Sequence, residues 1–230
     1  MKIHGLQKLT LLDFPGHTAC TVFLGTCDFR CPYCHNYELV DGSAPAIMEA
    51  DEVFAFLRKR QGLLDGVAVT GGEPCMNREL PAFLSEVREL GFATKVDTNG
   101  NHPAMLRRIL SEGLADYVAM DVKNSPDKYA MTIGLPSFNL KRVQESIDLL
   151  LSSGIDYEFR TTCVREFHEE RDFREIGEMI RGAKRYFLQN FTDRESVPYG
   201  NLHGFSREEM EIFSKIMAES VETVEIRGID

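Results

Sequence analysis

Residues 66–100, GVAVTGGEPCMNRELPAFLSEVRELGFATKVDTNG, decide the fold. Gly66 to Thr70 is a short apolar run closed by Gly71-Gly72-Glu73-Pro74. Leu80, Phe83, Leu84, Val87 and Leu90 follow at helical spacing, and Gly91 stops the helix. Ala93 to Asp97 reads as another strand, leading into Asp97-Thr98-Asn99-Gly100. Strand, amphipathic helix and strand in this order make a βαβ unit, with parallel strands and a right-handed crossover.

The pattern continues in both directions. Upstream, Ala19 to Gly25 is a buried strand, and Val53, Phe54 and Leu57 mark a helix opened by Asp51 and Glu52. Downstream, strands at Asp116 to Asp121, Tyr157 to Val164 and Arg185 to Phe191 alternate with helices marked by Leu106 and Ile109, by Val143 and Ile147, and by Phe173 and Ile176. A last helix starts at Ser206, with Glu209 completing a capping box, and Glu222 to Ile226 is a final strand. Leu6 to Phe14 is mixed and ends in a turn at Asp13-Phe14-Pro15-Gly16. Two architectures satisfy this alternation: an open doubly wound sheet and an incomplete (β/α) barrel, since eight repeats take about 250 residues.

The chain of 230 residues is 43% hydrophobic and 27% charged, with a net charge of -10. That balance argues against a general nucleic-acid surface, which needs clustered Lys and Arg. The N-terminus lacks an apolar signal-peptide core, and no apolar run reaches the length of a membrane span. A cytoplasmic protein without nucleic-acid or membrane partners is expected. Cytoplasmic thiols stay reduced, so clustered cysteines there read as a metal or redox site.

In either architecture function collects at the carboxyl ends of the strands. The first strand is followed by Cys27, Cys31 and Cys34, spaced CxxxCxxC. Three thiolates so close together suggest a metal, and a catalytic metal site often keeps one position open. Zinc with His35 as fourth ligand is one reading, but His35 directly follows Cys34 and no second ligand pair has zinc-ribbon spacing. An iron–sulfur cluster is the other. Gly71, Gly72 and Glu73, then Asp97, Thr98 and Asn99, then Asp121 and Lys123 stand at successive strand ends. Arg160 lies on the next strand and Gln189 ends the one after. Cys20, Cys75 and Cys163 read as small buried hydrophobes. His4, His17, His102, His168 and His203 show no paired ligand spacing.

CxxxCxxC with Tyr33 before the last cysteine, followed by Gly71-Gly72-Glu73 at the next strand end, resembles the radical S-adenosylmethionine superfamily. The resemblance implies one 4Fe–4S cluster on Cys27, Cys31 and Cys34, with S-adenosylmethionine chelating the fourth iron. One electron from the cluster would break a carbon–sulfur bond and release a 5′-deoxyadenosyl radical, so the cofactors carry the hard chemistry. Asp97-Thr98-Asn99-Gly100, the Asp121–Lys123 pair and Cys34-His35-Asn36 resemble one branch, the activating enzymes of glycyl-radical enzymes. That likeness implies S-adenosylmethionine contacts from Tyr33, Gly71, Gly72, Glu73, Asn99, Asp121, Lys123, Arg160 and Gln189. It also implies a monovalent cation near Asp97, Thr98 and Asp121. Residues 5–16 and 186–191 narrow the likeness to anaerobic ribonucleoside-triphosphate reductase activating proteins. The partner implied is a glycyl-radical enzyme, the anaerobic ribonucleotide reductase, with a flavodoxin- or ferredoxin-type reductant.

The fold expected is therefore α/β: a partial (β/α)6-type TIM barrel with a parallel sheet and a single domain. Residues 1–18 are expected as an N-terminal extension and 200–230 as a C-terminal helix–strand extension. Two other functions fit the same residues. One is a radical enzyme acting on a small molecule, like 7-carboxy-7-deazaguanine synthase. The other is a non-catalytic metal-binding module.

Overall fold

Val67, Ala68 and Val69 are almost wholly buried, as expected of a strand covered on both faces. The computed structural model describes residues 1–229. It divides into two compact units. One contains Met1–Asp28, Glu38–Thr98 and Ala104–Val118; the other contains Phe29–Tyr37, Asn99–Pro103 and the chain from Ala119 onward.

The elements of the first unit are β1 (Lys2–Ile3), β2 (Gly5–Thr10), β3 (Ala19–Leu24), α1 (Tyr37–Asp41), β4 (Met48–Glu49), α2 (Ala50–Arg58), β5 (Gly66–Gly71), α3 (Leu80–Glu89), β6 (Ala93–Thr98) and α4 (Pro103–Ser111). Strand order is β6-β5-β3-β2. β5 pairs parallel with β3 (Gly66 opposite Ala19) and with β6 (Gly66 opposite Ala93). The apolar stripes of α2 (Val53, Leu57) and α3 (Leu80, Phe83, Leu84, Val87) are buried.

The sequence left Leu6 to Phe14 unassigned, but β2 is a strand, paired antiparallel with β3. Gln7, Lys8 and Leu9 are all exposed in turn, so the period-two signal is absent. β2 ends its strand order, and backbone hydrogen bonds hold such an edge with little help from side-chain burial. β1 and β4, two residues each, pair antiparallel and were also too short to read.

Strand β7 (Tyr117–Asp121) leads into the second unit. There follow α5 (Tyr129–Thr132), α6 (Lys141–Ser152), β8 (Asp156–Cys163), α7 (Glu170–Met179), β9 (Arg185–Asn190), α8 (Arg207–Met217) and β10 (Thr223–Arg227). β9 pairs parallel with β8 and β10, in the order β10-β9-β8-β7. α8 starts where its capping box predicts: Ser206 Oγ accepts from the Glu209 N–H at 3.3 Å, and Glu209 accepts from the Ser206 N–H at 2.8 Å. Phe213 of α8 stacks on Phe173 of α7 at 4.2 Å. The fold is thus α/β with mostly parallel strands. No helix among the described residues is long and apolar enough to cross a membrane.

Candidate active site

In the first unit the path into the cysteine loop is set by backbone packing. β3 runs out through Thr26, whose φ of 69° lies in the left-handed region. Its N–H donates to the Leu39 carbonyl at 2.8 Å, and its carbonyl accepts from the Glu73 N–H at 2.8 Å. Gly72 lies against the same carbonyl, and a Cβ on it would stand 1.9 Å from the oxygen. A Cβ on Gly71, at φ +117°, would stand 2.3 Å from the Leu24 carbonyl oxygen. The two glycines therefore let the end of β5 pack against the chain that delivers Cys27. Glu73 is 1% exposed, and its Oε1 accepts from the Cys75 N–H at 2.9 Å and the Thr98 hydroxyl at 2.8 Å. The structure thus joins Glu73 to Thr98. Asp97 is ion-paired with the buried Lys95.

The second unit carries Cys31, Tyr33 and Cys34. A turn brings the last cysteine back, with the Cys34 N–H donating to the Cys31 carbonyl at 3.2 Å. The Arg30 N–H donates to the Ile133 carbonyl at 2.8 Å, and a Cβ on Gly134 would stand 2.1 Å from the Arg30 carbonyl oxygen. Phe29 meets Phe138 edge to face at 5.3 Å, and Tyr33 leans on Phe167 at 5.8 Å. His35 stacks on Phe191, with Nε2 at 2.7 Å from the Thr192 carbonyl. These contacts from 133–138, 167 and 191–192 fix the loop. They come from distant sequence and were not legible in it.

Asp121 joins two cations. One carboxylate oxygen lies 2.7 Å from Lys123 Nζ, the other 2.5 Å from Arg160 Nε. Burial works against the Asp121 carboxylate, but Arg160 and Lys123 outweigh it and hold its pKa well below the usual range. Burial likewise opposes the Lys123 charge, and Asp121 more than restores it. Burial pushes the Cys31 thiol up to about 11, with Lys123 pulling the other way. Cys34 is raised for the same first reason. Asn99 is 5% exposed and its Oδ1 accepts from the Asn101 N–H at 2.9 Å, so it shapes its own turn. Gln189 stands opposite Thr162 and Arg227 in register, half-buried.

Tyr33 is 4% exposed, and its hydroxyl has no hydrogen-bond partner. Burial, then the nearby Cys31 thiol, raise its pKa well above the ordinary value, so it stays a donor. Buried donors are ordinarily satisfied. Thiols that feel a half-buried ammonium, together with such a donor, fit a thiolate-held cluster with a polar ligand next to it; metal coordination would deprotonate the thiols outright. Among the described residues no three His, Cys, Asp or Glu side chains converge on one metal ion. Cysteines on separate irons of a cluster need not converge.

The fold and site define a class: an α/β chain with a three-cysteine loop and polar residues at successive strand ends. The Radical SAM superfamily profile matches residues 21–180, and the chain belongs to that family. The match runs through both units, and the family implies a 4Fe–4S cluster and S-adenosylmethionine. A candidate glycyl-radical enzyme activating enzyme of Methanocaldococcus jannaschii is 28% identical across 99% of this chain and 96% of its own length. The pyruvate formate-lyase-activating enzyme of Clostridium pasteurianum is 30% identical over 55% of this chain and 54% of its own. The 7-carboxy-7-deazaguanine synthase of Thermococcus kodakarensis is 30% identical over 56% of each chain. Among solved structures, a domain of pyruvate-formate lyase-activating enzyme from Bacteroides vulgatus superposes with TM-score 0.57 at 17% identity, covering 71% of this chain and 99% of that one. That likeness concerns the fold alone, α/β and mostly parallel, in keeping with the partial (β/α)6 barrel expected. The chain is a radical S-adenosylmethionine enzyme.

Proposed function

We propose that this enzyme is an activase that installs a glycyl radical on a partner enzyme in the cytoplasm. The observation that carries this reading is the alignment with the M. jannaschii relative, which runs nearly end to end on both chains. The C. pasteurianum relative, an activating enzyme by name, supports it over about half the chain.

In this reading Cys27, Cys31 and Cys34 hold three irons of the cluster. When bound, the cluster and S-adenosylmethionine together supply a 5′-deoxyadenosyl radical that removes hydrogen from carbon. The protein binds, orients and excludes water. Tyr33 offers its buried hydroxyl as a donor. Gly71, Gly72 and Glu73 pack beside the chain that delivers Cys27 and would contact the cofactor, as would Asn99 and Gln189. Lys123 and Arg160 would take the methionine carboxylate, with Asp121 holding both cations in place. A monovalent cation would be held at the Asp97–Thr98 strand end. The partner is the anaerobic ribonucleotide reductase, and the electron comes from a flavodoxin- or ferredoxin-type protein.

The second reading, ring-forming chemistry on a small molecule, draws on the T. kodakarensis synthase, as similar as the C. pasteurianum activase over the same share of the chain. One experiment separates the two. The reduced, reconstituted protein is mixed with S-adenosylmethionine and the anaerobic reductase and frozen for electron paramagnetic resonance. A glycyl-radical doublet on the reductase is expected. 5′-Deoxyadenosine formed without that signal, and only when a small-molecule substrate is added, would favour the second reading.

A further inference from the structure

His168 belongs to none of the motifs that the sequence singled out, yet it is 4% exposed and both ring nitrogens are engaged. Nε2 stands 2.9 Å from the Lys123 carbonyl oxygen. A carbonyl only accepts, so Nε2 carries the proton. Nδ1 then presents a lone pair, which the Val164 N–H meets at 3.2 Å. The Val164 carbonyl also lies 3.1 Å from Nδ1. It already accepts from the N–H groups of Phe167 (3.0 Å) and His168 (2.9 Å), so it asks for no second ring proton. One face of the ring stacks on Phe173 at 5.7 Å. Burial lowers the imidazole pKa and so favours this neutral tautomer.

The partner of that Nε2–H is the main chain of Lys123. The neighbouring residues are pinned too: the Thr161 hydroxyl donates to the Val122 carbonyl at 2.6 Å, and Asn124 Nδ2 donates to the Phe167 carbonyl at 3.0 Å. Residues 161–168 therefore grip 122–124 at three points, counting His168 itself. The same turn presents Phe167 to Tyr33. The side chain of Lys123 reaches Asp121 from this clamped backbone.

We infer that His168 is a positioning residue for Lys123, fixing the backbone from which its ammonium is aimed at the S-adenosylmethionine site. The inference rests on the reading of Lys123 as a cofactor contact. It assigns the work to the tautomer-specific bond from Nε2 and not merely to filling the space.

Three variants separate the two bonds. His168→Gln puts an amide nitrogen where Nε2 stood and keeps the donor to Lys123. His168→Asn puts an amide oxygen where Nδ1 stood and keeps only the Val164 contact. His168→Leu keeps neither. On the cluster-loaded protein, the dissociation constant for S-adenosylmethionine is read from the perturbation of the reduced cluster's paramagnetic signal. It should rise on the order of tenfold in the Asn and Leu variants and stay within about twofold in the Gln variant. On the cluster-free protein, hydrogen exchange of the amides at 122–125 should quicken in the Asn and Leu variants only. Asn and Gln variants that match each other in both readouts would overturn the inference while leaving the activase reading intact. A wild-type protein that takes up the cluster yet binds no S-adenosylmethionine would overturn the functional reading, and the inference with it.

Discussion

Gly72 lies so close under Thr26 that a Cβ on it would stand 1.9 Å from the Thr26 carbonyl oxygen. That oxygen already accepts the Glu73 N–H at 2.8 Å. The Gly-Gly-Glu motif and the entry to the cysteine loop are thus one backbone assembly, and the direction in which Cys27 leaves β3 depends on it. A glycine that the family resemblance offers as a cofactor contact has a near neighbour in the protein's own main chain.

Gly72→Ala is therefore expected to cost about 3 kcal/mol, at the upper end of overpacking, because the atom it meets is backbone and cannot swing away. Cluster uptake should fall with it. Gly182→Ala is the control: its φ is +85° with nothing within 4 Å, so it pays only the conformational cost, about 1 kcal/mol. Thermal melts and iron content of the two variants measure this. Equal losses in both would remove the steric argument.

The six cysteines should separate into two classes. Cys20, Cys75 and Cys163 are buried at 0–3% exposure, and burial raises the pKa of each thiol. Their replacement by Ala should leave iron per chain unchanged after anaerobic reconstitution. Cys27→Ser, Cys31→Ser and Cys34→Ser should each lose most of the cluster's visible absorbance. Full iron retention in any of these three Ser variants would contradict the cluster assignment.

Asp172 offers a test of acid stability away from the candidate site. Its side chain is 2% exposed and accepts from Lys128 Nζ at 2.7 Å, the Ser125 hydroxyl at 2.7 Å and the Glu169 N–H at 2.9 Å. Burial opposes its charge, but these donors outweigh burial and lower its pKa. The unfolded chain then takes up the proton first. The stabilisation is complete above the ordinary Asp value, about 3.9, and is lost as pH falls below it through the folded value. Asp172→Asn should cost about 2 kcal/mol at pH 7. Its deficit against wild type should shrink on acidification below about pH 4. Urea unfolding at pH 7 and pH 3 reads the difference, and a deficit unchanged between them would show that the charge is not what stabilises.

Periodicity made most of the fold legible. The strands read at Gly66 to Thr70 and Ala93 to Asp97 end within one residue of β5 and β6: the first is a continuous apolar run, as a parallel strand covered on both faces should be, and the second is bracketed by Gly91 and Gly100. β2 escaped because three successive exposed residues carry no alternation. The cysteines were legible because a short loop fixes their spacing covalently. The pairing of Arg160 with Asp121 was not, because 39 residues separate them and only the fold brings them together. His168 was passed over for want of a paired ligand, since a bond from its ring to a backbone carbonyl leaves no mark in sequence.

The last strand rests on a contact that charge alone does not describe. The Arg227 guanidinium lies 3.4 Å from the centre of the Phe187 ring. Its two terminal nitrogens reach the two oxygens of Glu158 at 3.1 and 3.2 Å. Glu158 is 1% exposed, and the fork reaches both of its oxygens. A planar guanidinium can stack and donate twice at once, which an ammonium cannot. Arg227→Lys is expected to cost about 2 kcal/mol although the charge is kept. Arg227→Met should cost about 3 kcal/mol, because it takes a two-pronged cationic partner from a buried carboxylate. Adding Glu158→Gln to the Met variant should recover part of that loss, since the buried charge is then gone. Chemical denaturation of the variants, taken as a double-mutant cycle, measures the coupling. A Lys variant as stable as wild type would mean that β10 is held by its ladder with β9, and that the fork contributes little.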